Sequence, residues 1–219
     1  MDVTVAVLTG QRPELLAATL SAMAERQPHV WDGGARVVVH NTGDRATADV
    51  LDGYRWDKRV TLKGGLRGIA EASQHLIKAA ALVDRRYVLR LEDDWVAEPV
   101  AFVNHAIDLL EHPELNIGQV RLRRADEKVL TKHRVTRRPI RWHDADGRSV
   151  WSPSAHYTHN PSLMRTWDYA AMAGYADELD AARRYVEAGW ASAQHVPGAF
   201  RHAGDRDRGL SLKWTKGAP

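Results

Sequence analysis

The chain has 219 residues, 44% hydrophobic and 27% charged, which suits a folded domain with a sizeable core and excludes a disordered or fibrous chain. It has no cysteine, so disulfides and thiolate metal sites are excluded. The formal net charge of +3 is uneven: Arg121 to His143 hold nine Lys/Arg and two acids, leaving 22 basic and 26 acidic residues elsewhere, the mark of a local polyanion contact rather than of a generally basic protein.

In chain order, Val3 to Leu8 is β-branched and apolar, as in a central parallel strand. Pro13 suits a first helical position. Leu15, Leu16, Thr19, Leu20 and Met23 then fall at helical spacing, predicting a helix over 13–26. After a Gly-Gly loop, Arg36 to His40 reads as a second strand ending in the polar turn Asn41-Thr42-Gly43-Asp44. A short helix over Ala46 to Tyr54, a strand at Val60 to Leu62, the glycine loop 64–68 and a helix from Ile69 to Val83 follow. Tyr87 to Leu91 is the fourth strand, and Pro99 opens another helix. Strands alternating with helices imply βαβ units: an α/β fold with a mostly parallel central sheet flanked by helices.

The pattern changes after residue 115. Ile117 to Leu122 reads as a strand, 123–150 as basic and irregular, Trp151 to Thr158 as a strand, and Ser162 to Met172 and Asp177 to Ala188 as helices. Trp190 to Val196 is a last strand before a polar tail. No apolar run approaches membrane-spanning length and no basic-then-apolar leader opens the chain, so the expectation is a soluble, cytoplasmic protein with no membrane partner.

The fourth strand runs straight into Glu92, Asp93 and Asp94. An isolated acidic triplet is more often a solvated turn. At the carboxyl end of a parallel strand, however, it stands where open α/β sheets bind ligands, and its oxygens suit Mg²⁺ or Mn²⁺.

Together these residues resemble a family-2-type glycosyltransferase of the GT-A fold, in the manner of small phage and bacterial members. The resemblance rests on Leu8-Thr9 followed by Arg12-Pro13, a second strand ending in a polar turn, and a glycine loop before a helix. It continues with Glu92-Asp93-Asp94 matching the family's "DxD" motif, then Glu178, Gly189-Trp190 and His202-Ala203-Gly204 in order. It covers residues 3–110 well and 155–205 loosely. Two departures stand out: the first acid is Glu92 rather than Asp, and the second strand ends in His40-Asn41 where many relatives carry acids that hold uracil and ribose.

The resemblance implies a single GT-A domain over 1–219, with 1–115 binding the nucleotide-sugar, 116–205 holding the acceptor and catalytic groups, and 206–219 a tail. It implies a UDP-sugar-type donor and a divalent cation, Mn²⁺ or Mg²⁺, acting on the diphosphate leaving group. Asp94 is the implied ligand, with Glu92 direct or through water, and His202 additional or merely a surface histidine. Asp93 is expected to point towards ribose or sugar hydroxyls. Thr9, Gln11 and Arg12 are expected to face the nucleotide, Asn41 and Asp44 the base or ribose, and Arg67 with its glycines to wrap the nucleotide or form a plain turn. Glu178 is the implied base for an inverting displacement, with Asp177 and Asp180 as competitors and solvent-facing helix acids as the alternative.

For the acceptor, Arg121, Arg123 and Arg138 with Trp142 and Trp151 match a phosphate backbone beside stackable bases. This points to nucleic acid, and to 5-hydroxymethylpyrimidine in phage DNA, with protein or glycan acceptors as rivals. His159 and Asn160 are placed on the acceptor side of the sugar, although Asn160 before Pro161 equally suits a helix cap. A nucleotidyltransferase would call for a basic glycine-rich signature near strand one. A non-enzymatic nucleic-acid-binding domain leaves the three acids unexplained.

Overall fold

The computed structural model describes residues 1–124, 143–144, 149–152 and 157–203. Strand β1 (Val3–Thr9), buried at every position, leads into helix α1 (Pro13–Arg26), whose proline opens its first turn. A short helix α2 (Pro28–Gly33) follows where sequence pattern suggests only a loop. Then come β2 (Ala35–His40), α3 (Arg45–Asp52), β3 (Lys58–Thr61), α4 (Ile69–Ala81) and β4 (Tyr87–Glu92). The later half holds β5 (Trp95–Ala97), α5 (Val103–Leu110), β6 (Ile117–Arg121), β7 (His143–Asp144), β8 (Ser149–Ser152) and β9 (Ser162–Arg165). Helices of residues 166–171 (α6) and 178–187 (α7), then β10 (Ala191–His195) and β11 (Phe200–His202), complete the described residues.

Among the described residues a nine-stranded sheet runs in the order β3-β2-β1-β4-β9-β6-β10-β8-β7. The pairings leave only β8 and β9 running against the rest, so the sheet is mostly parallel, as its sequence pattern predicts. The chain builds outward from β1 through β2 to β3, then returns to place β4 on the other side of β1. That reversal makes a crevice between the carboxyl ends of β1 and β4, the switch point at which open α/β sheets bind ligands.

Both faces of the sheet are covered. Val5, Val7, Leu89 and Leu91 pack with α1, α2 and α5 on one face, and Ala6, Leu8, Val88 and Met164 pack with α4, α6 and α7 on the other. Alternation along each strand sends neighbours to opposite faces, which is why these strands read as continuous apolar runs.

Two later segments also depart from expectation. Ser162–Arg165 is a strand rather than the start of a helix, because Leu163 and Met164 are drawn to opposite faces of the sheet between β4 and β6. The helix expected from Pro99 begins at Val103, since β5 and its continuation pair with β11 in a small antiparallel sheet and Glu98 donates its N–H to the Ala199 carbonyl. Among the described residues, no helix is long and apolar enough to cross a membrane.

Candidate active site

The switch-point crevice gathers the acids after β4, the turn after β1 and the end of β11. Asp93 is fully buried. One of its oxygens accepts from Thr9 Oγ1 at 3.0 Å and from the Gly10 N–H at 2.8 Å, and the other takes Arg12 Nη2. Thr19 of α1 donates to its backbone carbonyl at 2.9 Å. Burial pushes the Asp93 carboxyl up, against Arg12 and the Gly10 N–H, which favour the charged form. Asp93 and Thr9 were expected to face the ligand. Both are turned inward and tie the end of β1 to the end of β4.

Asp94 is different. Its Oδ2 meets Arg12 Nη1 at 2.7 Å and His202 Nε2 at 3.3 Å, while its Oδ1 is buried without a hydrogen-bond partner. Burial alone would raise its pKa, but His202 and Arg12 hold it below the usual carboxylate range. His202 reaches the acid through the small sheet. It pairs in register with Trp95, its ring meets the Trp95 ring edge-on at 4.9 Å, and the Ala203 N–H donates to the Asp94 carbonyl at 2.8 Å. The Arg123 guanidinium lies over the Trp95 ring, 5.8 Å from its centroid. Gly198 permits the approach: at φ +91° it is in a conformation that favours glycine, and a Cβ there would stand 2.4 Å from the Arg123 carbonyl oxygen.

Glu92 points to the other face of β4, where its Oε1 accepts from the buried Arg90 at 3.1 Å. Arg90 also donates to Ser73 Oγ at 3.2 Å and to the His159 carbonyl. His159 is itself buried against Tyr175, with 2.9 Å between Nε2 and the phenol oxygen, so its ring does not line an open acceptor surface as expected. Burial, then the nearby Arg90 charge, pulls His159 down to about 2 and keeps it neutral. Asn160, next along the chain, is half-buried.

On the β2 side, the Asn41 side chain is buried and clasps the backbone of Arg67, donating to its carbonyl at 3.0 Å and accepting its N–H at 3.2 Å. Arg67 itself is exposed and pairs with Glu71, and Gln11 is exposed at the crevice mouth. Asp44, expected at the base or ribose, instead caps α3: Oδ1 accepts the Thr47 N–H at 2.8 Å and Oδ2 accepts Thr42 Oγ1 at 2.6 Å. These bonds hold its carboxyl well below the usual range despite the opposing effect of burial.

Of the three acids near α7, Asp177 is the N-cap and Asp180 is bonded to the Ala176 N–H and Arg184. Glu178 is exposed and, among the described residues, carries no such structural engagement. Arg121 is half-buried on β6, where burial pulls its guanidinium down to about 10, so it is not an open surface arginine. Arg138 and Trp142 lie outside the described residues, and of Trp151 only its place in β8 is described. Sequence reading missed Arg90, Ser73, Trp95 and Tyr175; the one available signal was an arginine inside an apolar strand, two residues before the acids. A groove of about 500 Å³ between the α1–α2 junction and α5 shares no residue with this cluster.

Among the described residues, no three His, Asp or Glu side chains form a ready-made metal cage. Asp94 and His202 supply two converging donors and the unpartnered Oδ1, which fits a cation that takes its remaining ligands from substrate phosphates and water.

No protein-family model matches the chain, and no curated protein matches it. Solved structures do. A mannosyltransferase from Pyrobaculum calidifontis, in complex with GDP-Man and Mn²⁺, superposes with a TM-score of 0.66 at 14% identity over 94% of this chain and 58% of its own. TarS residues 1–349 from S. aureus superpose with a TM-score of 0.59 at 14% identity over 93% of this chain and 61% of theirs. The same TarS segment in complex with UDP gives 0.58 at 13% identity, over 92% and 60%. The fold is that of GT-A glycosyltransferases, as the motif resemblance implies. The chain spans about three fifths of the length of these solved chains.

Proposed function

We propose that the protein is a metal-dependent glycosyltransferase that moves a sugar from a nucleotide-sugar to a hydroxyl acceptor. The observation that carries this reading is Asp94: a buried acid at the switch point of a GT-A fold, one oxygen without a partner and the other shared by Arg12 and His202. The solved neighbours that contain GDP-Man with Mn²⁺, or UDP, support a nucleotide donor without choosing the base.

Asp94 and His202 would hold Mn²⁺ or Mg²⁺, which when bound offsets the charge on the departing diphosphate. Arg12 stands close enough to the acid to place a guanidinium beside the same phosphates. The acceptor oxygen attacks the anomeric carbon, the bond to the diphosphate oxygen breaks, and the acceptor proton passes to a base. Glu178 is our candidate for that base, because Asp177 and Asp180 are engaged in holding the start of α7. A single displacement of this kind inverts the anomeric centre. Residues 1–115 would bind the donor and 116–205 the acceptor, in a protein that meets its donor in the cytoplasm.

For the acceptor, the basic segment favours a polyanion, with 5-hydroxymethylpyrimidine DNA as the form to test. Arg123, set over Trp95 beside the metal site, is its described member nearest the chemistry. The test is thermal stabilisation and calorimetric binding with GDP and UDP, each with and without Mn²⁺. A metal-dependent response to at least one is expected; none to either would overturn the reading. Mass spectrometry of hydroxymethylated DNA, protein and glycan acceptors then assigns the product.

A further inference from the structure

On the α4 face of β4 the neighbours Val88 and Leu8 are apolar, yet two residues beyond Val88 stands Arg90, 0% exposed. Burying a guanidinium carries a penalty of several kcal/mol before its partners are counted, and an aliphatic side chain would avoid it. The fold therefore keeps a group here that packing alone does not require.

Its fork has three acceptors: the His159 carbonyl, Ser73 Oγ and Glu92 Oε1. Glu92 is the only carboxylate paired with it among the described residues. The two side chains stand two apart on one strand, so they share a face. Arg90 lies inside that face and Glu92, 17% exposed, at its rim.

We infer that Arg90 is a positioning residue for Glu92. It holds one carboxylate oxygen in the core so that the other is fixed at the crevice, where it accepts a hydroxyl of the donor, from ribose or from the transferred sugar. A glutamate has three rotatable bonds, and a charge-assisted bond from Nη2 of a guanidinium that is itself fixed by Ser73 and the His159 carbonyl removes much of that freedom before the ligand arrives. The inference rests on the proposed donor reading. The rival account makes Arg90 only a brace for the passage 157–161, through the His159 carbonyl.

A double-mutant cycle separates the two. Arg90→Met, Glu92→Gln and the double variant are titrated calorimetrically, in Mn²⁺, with GDP, UDP, GDP-mannose and UDP-glucose. Each single change is expected to weaken whichever probe the wild type binds by about ten-fold, the scale of one hydrogen bond to a charged group. The double variant should then be no weaker than Arg90→Met. A loss already present with the nucleoside diphosphate assigns the hydroxyl to ribose, and a loss confined to the nucleotide-sugar assigns it to the sugar. Arg90→Lys, which keeps a cation but not the fork, runs the same cycle if Arg90→Met does not fold. A variant that melts earlier but binds unchanged, or losses that add in the double variant, would overturn the inference alone. No binding of any probe by the wild type would overturn the donor reading and this inference with it.

Discussion

Strand β4 and the acid that follows it carry charge into the core on both faces, and the two faces settle it differently. On the α1 face the buried charge is Asp93, whose two oxygens take three donors from the end of β1 and the turn after it. On the α4 face it is Arg90, met by a carbonyl, a hydroxyl and one carboxylate, while its Nε and the nearby Tyr157 hydroxyl have no hydrogen-bond partner. At the tip between them Asp94 has one oxygen engaged and one unpartnered. A saturated group has no capacity left for a ligand, so it serves the fold; an unsaturated one at the rim is where a ligand can complete the coordination. Under the proposed function, adjacent acids of one motif divide into a structural member and a chemical one.

The sharpest way to break this division is to exchange the outcomes of Asp94 and Asp93. Asp94→Ala should lower transfer by roughly a thousand-fold, about 4 kcal/mol, and abolish the Mn²⁺-dependent part of donor binding. Its folding free energy in urea should stay within about 1 kcal/mol of wild type, because Arg12 keeps Asp93. Asp93→Ala should do the reverse, costing about 3 kcal/mol in the same denaturation by leaving the buried Thr9 hydroxyl and Gly10 N–H without their shared acceptor and Arg12 with Asp94 alone. If instead Asp93→Ala folds as well as wild type and only loses metal, the assignment of roles is inverted.

A smaller effect tests the late side of the tip. His202→Ala should weaken Mn²⁺ binding roughly 10–100-fold, read by electron paramagnetic resonance in the presence of the nucleoside diphosphate the protein binds. Unchanged Mn²⁺ affinity would make His202 only a packing partner for Trp95.

How much of this was legible depends on the range over which each contact acts. The helix over 13–26 and strands β1, β2 and β4 declare themselves through local periodicity and Pro13, and the structure has them nearly where the pattern puts them. Ser162–Arg165 does not, because a four-residue strand buried on both faces has no period of its own and runs directly into α6. Three-residue strands such as β5 and β11 are equally silent, though they carry His202 to Asp94. Within the site, the triplet itself was visible. What separates Asp93 from Asp94 was not, since the donors that saturate Asp93 come from residues 81–84 positions earlier. Asp44 looked like a ligand group because the Asn-Thr-Gly-Asp turn has the same composition whether its acid caps a helix or meets a substrate.

The α4 face has its own signature, in pH. His159 is 5% exposed, and burial together with Arg90 holds its folded pKa at about 2, below the ordinary 6.5. The unfolded chain therefore takes up a proton first as pH falls. The contribution of this group is complete above about pH 6.5 and is lost progressively below it, by roughly 1.3 kcal/mol between pH 7 and pH 5.5. Urea denaturation of wild type and His159→Phe at the two pH values isolates it. Phenylalanine loses the bond to Tyr175, so its stability is lower throughout, but its difference from wild type should shrink by about that amount at pH 5.5. A difference that stays constant would mean that His159 takes up its proton in the folded protein. A second cation would then be accommodated beside Arg90, and the α4 face would no longer be one that tolerates a single buried positive charge.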